Sequence, residues 1–280
     1  MEETSHDVVV IGSGVAGLAA AKEVLAGGLS VAVLESVTFG GLVINVNVLD
    51  GAIEGSGADY ASTLMLEMSE SGGEQISAVA ESLARDGDRL AVRSDAGVHR
   101  ARAVIVASGA QLKRLGIPGE LELEHKGVSQ CADCDGYFFR DQEVAVAGGG
   151  DSALQSALVL AGMCAKVHLL VRGGSYRAKP SLVAAVAAQP KIVAHMNTTA
   201  TAVLGTHAVT GVRIRDASGE RELAVSGFFG FVGLEPAAGF LPDAIARDAS
   251  GAIVTDAALA TAMPGVFAAG AVRAGYRGML

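Results

Sequence analysis

The chain has little with which to staple or anchor itself. Three cysteines in 280 residues cannot all pair, which excludes a disulfide-built scaffold. Beside Cys131-Ala-Asp-Cys134 there is no second Cys-x-x-Cys and no His pair at zinc-ligand spacing, so no metal centre is expected. His6, His99, His125, His168, His195 and His207 are scattered without a ligand pattern, and none takes a catalytic assignment. Positive charge is also short, with 21 Lys plus Arg against 30 Asp plus Glu and a net charge of −9. That balance disfavours a phosphate-backbone partner, so nucleic acid is excluded as an expectation. No uncharged run reaches membrane-spanning length. The N-terminus enters a strand without a basic start or a cleavable apolar stretch, so the expectation is a cytoplasmic chain with no secretory signal and no membrane partner.

What is present is apolar and glycine-rich. Hydrophobic residues make up 50% of the chain, enough for a core in each of two moderate domains. Asp7-Val-Val-Val-Ile-Gly12-Ser13-Gly14-Val15-Ala16-Gly17 reads as a buried strand, a glycine turn and a helix running to about Ala26. Gly27-Gly28 stops the helix, and Ser30–Glu35 is the next strand, which completes a βαβ unit. Residues 75–110 read as a meander, with Arg89–Arg93 and Val98–Arg102 as short runs and Ala103–Ala107 as a buried strand before Ser108-Gly109. A turn-rich stretch from Gln111 to Gly119 carries Ile117-Pro118-Gly119 as the crossing between domains. A second βαβ unit spans Glu143 to about Val171, with further strands at Val209–Arg215 and Gly227–Val232. Leu234–Gly239 is the return crossing, and Pro264–Gly270 is a strand entering a glycine turn. The architecture is duplicated, and one nucleotide-type domain is inserted into the other. Phe138, Phe139, Phe228, Phe229 and Phe231 fall in β-type contexts and are expected in the core. Cys164, in an apolar run at a helix end, is expected to be a small buried hydrophobe.

The glycine spacing carries chemistry. In Gly-x-Gly-x-x-Gly the first glycine permits the turn, the second lets backbone approach a pyrophosphate, and the third lets helix and strand pack closely. Glu35 stands at the end of the next strand, near the spacing of about 20 residues expected for a carboxylate on a ribose. The second turn, Gly148-Gly149-Gly150-Asp151-Ser152-Ala153, keeps the spacing with Ala last. Its following strand ends without a carboxylate and leads to Arg172 and Arg177, residue types that attract a 2′-phosphate and favour NADPH, with NADH as the other candidate. Between the turns, Cys131 and Cys134 are close enough to form a small disulfide ring, and the motif commonly lowers one thiol's pKa. Asp135 directly follows as a candidate general acid, and Asp133 is expected to be exposed.

With these motifs in this order, the chain resembles the low-molecular-weight thioredoxin reductase family of FAD- and NADPH-dependent disulfide oxidoreductases. The resemblance runs from Asp7 to about Gly270 through Gly12–Gly17, Gly40-Gly41, Val104–Ala110 with Ala107, Ser108 and Gly109, Cys131–Gly136, Gly148–Ala153, Arg172 with Arg177, and Gly265–Gly270. It implies an α/β fold of two Rossmann-like domains. The FAD domain would comprise residues 1–113 and 239–280, and an inserted NAD(P)H domain of residues 118–236 would carry the dithiol. Gly12, Ser13, Gly14, Val15, Ala16, Gly17, Glu35, Gly40, Gly41, Leu42, Ala107, Ser108, Gly109, Gly270 and Ala271 would serve FAD. Gly148–Ala153 with Arg172 and Arg177 would serve NADPH. Cys134 would be the sulfur nearest the flavin, Cys131 the one exchanging with the outside disulfide, and Asp135 the acid. Tyr137 is considered as a flavin neighbour. The crossings near 111–119 and 234–239 would be hinges, and the assembly a homodimer.

Some positions depart from that family. Leu42 stands where a flavin-facing Gln is usual, Asn47–Gly51 replaces a Glu-Asn-x-Pro-Gly-like stretch, and Arg172-Gly173 replaces two adjacent arginines. Ala271 replaces the Asp that bonds the ribityl chain. The chain stops at Leu280, about one helix short of the family's usual end, from which either a truncated chain or altered FAD binding is expected. The leading function is NADPH-driven reduction of a thioredoxin-like protein or a small disulfide through FAD and the Cys131/Cys134 pair. The alternatives are a dithiol oxidase of the same fold and a non-catalytic flavin or nucleotide sensor or subunit.

Overall fold

A computed structural model describes residues 2–46, 49 and 55–276. In chain order it contains β1 (Glu2–Ile11), α1 (Val15–Ala26), β2 (Val31–Glu35), α2 (Gly57–Glu70), β3 (Glu74–Ser77), β4 (Ala80–Asp86), β5 (Arg89–Ser94), β6 (Gly97–Val106) and β7 (Ala110–Leu112). There follow β8 (Val128–Ser129), α3 (Ala132–Asp135), β9 (Glu143–Ala147), α4 (Asp151–Met163), β10 (Lys166–Val171), α5 (Pro180–Ala188), β11 (Ile192–Met196), β12 (Thr199–Gly205), β13 (Val209–Asp216), β14 (Gly219–Leu223), β15 (Gly227–Gly230), β16 (Leu234–Pro236) and β17 (Val266–Ala268). The chain forms two compact units, residues 1–111 with 235–280 and residues 112–234. One α/β dinucleotide-type domain is thus inserted into another. The connecting strands β7 and β16 pair with each other. Among the described residues no helix is long and apolar enough to cross a membrane.

The first unit is built on a seven-stranded sheet ordered β3-β2-β1-β6-β5-β4, with β17 paired to β6. Its centre is parallel, because β1 pairs in register with both β2 and β6. A parallel strand buried on both faces needs an unbroken apolar run, and Val8-Val9-Val10-Ile11 supplies one. Side chains alternate between faces. Val8 and Val10 pack with Leu18 of α1 and Leu64 and Met68 of α2, while Val9 and Ile11 join Leu34, Leu90, Val104 and Ile253 on the other side. Truncating a fully buried member such as Leu18 to Ala costs about 2–5 kcal/mol. Helix α2 is not expected from the segments above, yet its signals are local. Ser56 Oγ accepts the Asp59 N–H and Asp59 accepts the Ser56 N–H in a capping box, and Gly57, Ala61, Leu64 and Met68 fall on one buried face.

The second unit holds a five-stranded parallel sheet ordered β11-β10-β9-β15-β8 and a three-stranded antiparallel sheet β12-β13-β14. Val144, Val146, Val167 and Leu169 face α4 and α5. Ala145, Leu170 and Phe228 face the side that also buries Val212 and Ile214 of β13. Strand order reverses at β9, since β10 lies on one side and β15 on the other. That is where doubly wound sheets bind nucleotides.

Several sequence expectations are corrected. Residues 98–107 are not two segments, because β6 runs unbroken from Gly97 to Val106: its first half pairs with β5 and its second with β17. Strand β15 stops at Gly230, and Val232 is exposed. The first connecting strand is Ala110–Leu112, ahead of Ile117-Pro118-Gly119. Phe228 and Phe229 are fully buried and Phe231 and Phe139 half-buried, but Phe138 is 73% exposed and is not a core residue. It lies on a short 3-10 turn, Gly136–Phe139, that directs it outward while Phe139 turns in against Phe229 with ring centroids 5.5 Å apart. Cys164 caps α4 and is fully buried, and that burial pushes its thiol up to about 11.

Candidate active site

The first glycine turn sits at the carboxyl ends of β1 and β6. Gly12 has φ +101°, and a Cβ there would lie 2.5 Å from the Ala107 carbonyl oxygen. A Cβ on Gly17 would lie 1.9 Å from the Gly12 oxygen, which is why α1 can rest so close to the turn. Gly14 differs: its Cβ would meet nothing nearer than the Gly40 oxygen at 3.9 Å. The N-cap of α1 has no side-chain cap, so first-turn N–H groups are left for an anion. A pyrophosphate therefore fits the open side of Gly14, with backbone on the other sides. Gly40 donates its N–H to the Ser13 carbonyl at 2.7 Å and bridges Gly14, which brings Gly40, Gly41 and the exposed Leu42 alongside the glycine turn. Gly270 packs against Ala16, and Ala271 follows on the 3-10 turn Gly270–Val272. Ser108 Oγ donates to the Ala237 carbonyl at 2.6 Å, and the Gly109 carbonyl accepts the Ala237 N–H at 3.0 Å. The stretch Asn47–Gly51, apart from Leu49, lies outside the described residues.

Glu35 ends β2 beside this turn, and the chain already uses its carboxylate fully. Oε2 accepts the Ser13 N–H at 2.9 Å and the Ser13 hydroxyl at 3.1 Å, while Oε1 accepts the N–H groups of Ser36 and Val37 at 2.9 and 3.0 Å. Three of these donors are backbone and fixed. The Ser13 hydroxyl is a rotor and is the one that can give way.

The second turn lines a cleft of about 800 Å³ that lies within residues 112–234. Gly148 has φ +149°, and its Cβ would fall 2.4 Å from the Phe231 oxygen. Gly150, the N-cap of α4, has nothing within 4 Å of where a Cβ would stand and no side-chain cap. This cradle too fits a dinucleotide phosphate. Arg172 and Arg177 follow β10 into the same cleft, and the Arg177 N–H is bonded to the Gly149 carbonyl at 2.7 Å. Both are exposed and make no ion pair among the described residues. Asp151 Oδ1 accepts the Lys179 N–H at 2.7 Å, which turns that carboxylate to a structural task.

Cys131 and Cys134 are joined as a disulfide across the N-terminal turn of α3. The Cys131 N–H is held by Ser129 Oγ at 3.0 Å, and Cys131 Sγ accepts the Cys134 N–H at 3.2 Å. Cys134 and Asp133 are exposed, and Cys131 and Asp135 half-buried. The Asp135 carboxylate has no hydrogen-bond partner among the described residues. Gly136 packs α3 on α4 so closely that a Cβ would stand 2.6 Å from Met163 Cε. The dithiol turn therefore rides on the helix whose other end carries the second glycine turn. Tyr137 beside it is 64% exposed, under the Arg140 guanidinium at 5.2 Å.

The family model described as pyridine nucleotide-disulphide oxidoreductase matches residues 6–279. The thioredoxin reductase of Treponema pallidum (strain Nichols) is 37% identical over 278 residues, covering 97% of this chain and 90% of that protein. The chain belongs to the thioredoxin reductase family of pyridine nucleotide-disulphide oxidoreductases. Within that family the thioredoxin reductase of Streptomyces clavuligerus is 37% identical over 276 residues, covering 95% and 86% of the two chains. The solved thioredoxin reductase of Lactococcus lactis superposes with a TM-score of 0.91 at 32% identity, covering 96% of this chain and 91% of that one. That of T. acidophilum gives 0.90 at 30% identity, covering 98% and 92%.

This family member also contains groups that sequence reasoning passed over. Lys113, Arg114 and Phe231–Leu234 line the cleft, and for the first two the signal is a basic pair next to a crossing. A polar ladder crosses the second unit's sheet. Lys166 Nζ and His168 Nε2 reach the two oxygens of Glu143 at 2.9 and 2.8 Å, and His168 Nδ1 lies 3.0 Å from His195 Nε2. These two partners hold the Glu143 carboxyl below its usual range, the His168 hydrogen bond most strongly. Burial lowers His195 first, followed by the charge of His168.

Proposed function

We propose that this chain is a flavin-dependent disulfide reductase that passes electrons from NADPH to the Cys131–Cys134 disulfide and on to a thioredoxin-like protein. The observation that carries the reading is the disulfide itself, on a solvent-facing turn packed against α4, the helix whose N-terminus closes an arginine-flanked nucleotide cleft. Gly12–Gly17, Glu35, Gly40–Leu42, Ala107–Gly109, Gly270 and Ala271 would hold FAD, which when bound supplies a two-electron carrier between nicotinamide and sulfur. Glu35 would accept the FAD ribose hydroxyls in exchange for the Ser13 hydroxyl, with the three backbone donors keeping its carboxylate aimed. Gly148–Ala153 would hold the NADPH phosphates at the α4 N-terminus, and Arg172 and Arg177 would meet its 2′-phosphate.

The residue chemistry of the dithiol half follows from its hydrogen bonds. Two electrons and one proton cleave the disulfide to one thiolate and one thiol. Cys131 Sγ is the sulfur with an N–H donor, so the negative charge rests there. The Cys131 thiolate attacks the acceptor disulfide and forms a mixed disulfide with one acceptor sulfur. Asp135, whose carboxyl makes no other bond among the described residues, gives a proton to the other. Cys134 then gives up its proton and attacks Cys131 Sγ, which restores the ring and releases the second acceptor sulfur, protonated by the proton Cys134 gave up, as a thiol. The exposed Tyr137 and Phe138, beside the dithiol, favour a protein acceptor over a small disulfide, since exposed aromatics are what partner surfaces bury. Cytoplasmic placement and a homodimer belong to the same reading, and light scattering tests the second.

The purified protein is expected to be yellow, to bleach anaerobically with NADPH, and to reduce a thioredoxin. Cys131→Ser should lose thioredoxin turnover by at least about 10³-fold and keep the bleaching, in line with removal of a covalent nucleophile. A colourless preparation with no NADPH response overturns the proposal in favour of a sensor.

A further inference from the structure

The nucleotide cleft holds a cation that neither the glycine turn nor the arginines account for. Lys113 lines it, is exposed, and makes no ion pair among the described residues. Its neighbour Arg114 is different, since its guanidinium is committed to Glu124 at 2.7 Å. Lys113 is also placed with some care. Its N–H donates to the Gly233 carbonyl at 2.9 Å, just beyond β15. Immediately after it, the turn Leu115-Gly116 is clamped by Glu120, a carboxylate only 3% exposed: Oε1 takes the Leu115 N–H at 3.0 Å and Oε2 the Gly116 N–H at 2.7 Å. A buried carboxylate is tolerated only where such donors compensate its lost hydration, so this clamp is a fixed point of the fold.

Sheet order decides which part of the ligand Lys113 meets. The strand order reverses at β9, and a dinucleotide lies across that point with its diphosphate on the α4 N-terminus. Arg172 and Arg177 follow β10, on the adenosine side. Lys113, bonded behind β15, is on the opposite side of β9, which receives the nicotinamide half. The anionic group on that side is the nicotinamide-linked phosphate, common to NADH and NADPH. In a chain of net charge −9, an uncommitted cation facing this cradle has electrostatic work to do there.

We propose that Lys113 is a binding residue for the nicotinamide-side phosphate of the dinucleotide, and that Glu120 is the positioning residue that holds it in place. The inference rests on the reading of this cleft as the NADPH site. Arg172 and Arg177 then select between the two dinucleotides, whereas Lys113 holds either one.

The test uses the purified, flavin-loaded full chain and calorimetric titration with four non-reducing probes: NADP⁺, NAD⁺, ADP-ribose and 2′,5′-ADP, the last of which lacks the second phosphate of the bridge. Lys113→Gln should weaken NADP⁺, NAD⁺ and ADP-ribose by one common factor of about tenfold, the size of a lost charge-assisted contact. It should leave 2′,5′-ADP unchanged, and Lys113→Arg should restore the three. Arg177→Gln should show the converse, with losses confined to NADP⁺ and 2′,5′-ADP. Glu120→Gln, checked for folding by thermal unfolding, should weaken ADP-ribose, and the double variant with Lys113→Gln should be no weaker than Lys113→Gln alone, because the two act as one unit. An additive double variant overturns the positioning role. Unchanged ADP-ribose binding by Lys113→Gln, or a loss confined to NADP⁺ and 2′,5′-ADP, overturns the assignment of Lys113 while leaving the cleft as the nucleotide site. If the unaltered chain binds none of the four, the reading of the cleft fails, and the Lys113 assignment with it.

Discussion

Ser13 and Glu35 are bonded twice through a single oxygen, the Ser13 N–H and hydroxyl both donating to Glu35 Oε2 at 2.9 and 3.1 Å. With Ser36 and Val37 on the other oxygen, the carboxylate ties the glycine turn to the end of β2. Glu35→Ala should therefore do two things at once. If Glu35 holds the ribose as proposed, the variant should lose about 1.5–3 kcal/mol of FAD affinity with that charged acceptor, and it should also unlatch the turn. Ser13→Ala keeps the backbone bond and removes only the hydroxyl that the ribose would displace in the proposed FAD site, so FAD affinity should change by no more than about threefold. Flavin fluorescence titration of the deflavinated variants compares them. Equal losses would contradict the displacement.

The three glycines of the first turn can be separated by experiment, because only two of them are packed. Gly14→Ala puts a methyl group into open space at an ordinary φ of −66°. It should leave the thermal midpoint unchanged or slightly higher, yet weaken FAD binding. Gly17→Ala drives its Cβ into the Gly12 carbonyl and should lower the midpoint as well as flavin content. A Gly14→Ala variant that binds FAD normally would show that no phosphate approaches there.

The sulfurs can be told apart chemically. Cys134→Ser leaves the thiol whose sulfur faces an N–H donor, so it should form a long-lived mixed disulfide with thioredoxin or with an aromatic disulfide reagent, visible on a non-reducing gel. Cys131→Ser should form it much more slowly. The opposite order would transfer the exchange role to Cys134, the more exposed of the two.

Acid should destabilise the second unit in two steps. Burial sets the His195 pKa below its ordinary 6.5, so the unfolded chain binds that proton more readily than the folded one. The stability tied to His195 is present above about pH 6.5 and falls as the pH drops toward its folded pKa. Glu143 is depressed by His168 and Lys166, so its contribution is present above the ordinary carboxyl value of 4.5 and is lost only at lower pH. Its side chain is 42% exposed, so solvent screening keeps that second step small. His195→Gln should flatten the denaturant midpoint between pH 7 and pH 5. A variant with the same slope as the parent would remove His195 from the account.

How far the amino-acid order discloses this molecule depends on how local each signal is. The glycine turns and the Cys-x-x-Cys are readable because their chemistry lies within a few residues, and Val8–Ile11 and Val144–Ala147 announce buried parallel strands by composition alone. Phe138 is misread because its neighbours look β-like, whereas the outcome depends on a one-turn 3-10 helix that points Phe138 and Phe139 in opposite senses. The Glu143–His168–His195 ladder has no linear signature. It exists because three parallel strands settle in a register that places those side chains on one face, a decision made by the whole sheet. Lys113 is legible as a charge but not as a lining residue of the cleft, since that placement goes with a bond to Gly233, 120 positions further along the chain. Helix α2 is local too, since Ser56 and Asp59 at Ser-x-x-Asp spacing stand ahead of the spaced apolar residues Ala61, Leu64 and Met68.

The bond between Lys113 and Gly233 has an engineering consequence. An insert whose entry and exit touch can be excised at one point without stretching the host, and its own ends need no spacer to meet. Residues 112–234 should therefore survive as an autonomous gene product, and a short Gly-Ser patch joining Gln111 to Glu235 should close the remaining half. Modular assembly of reductases from interchangeable cassettes would then be a matter of matching one splice site.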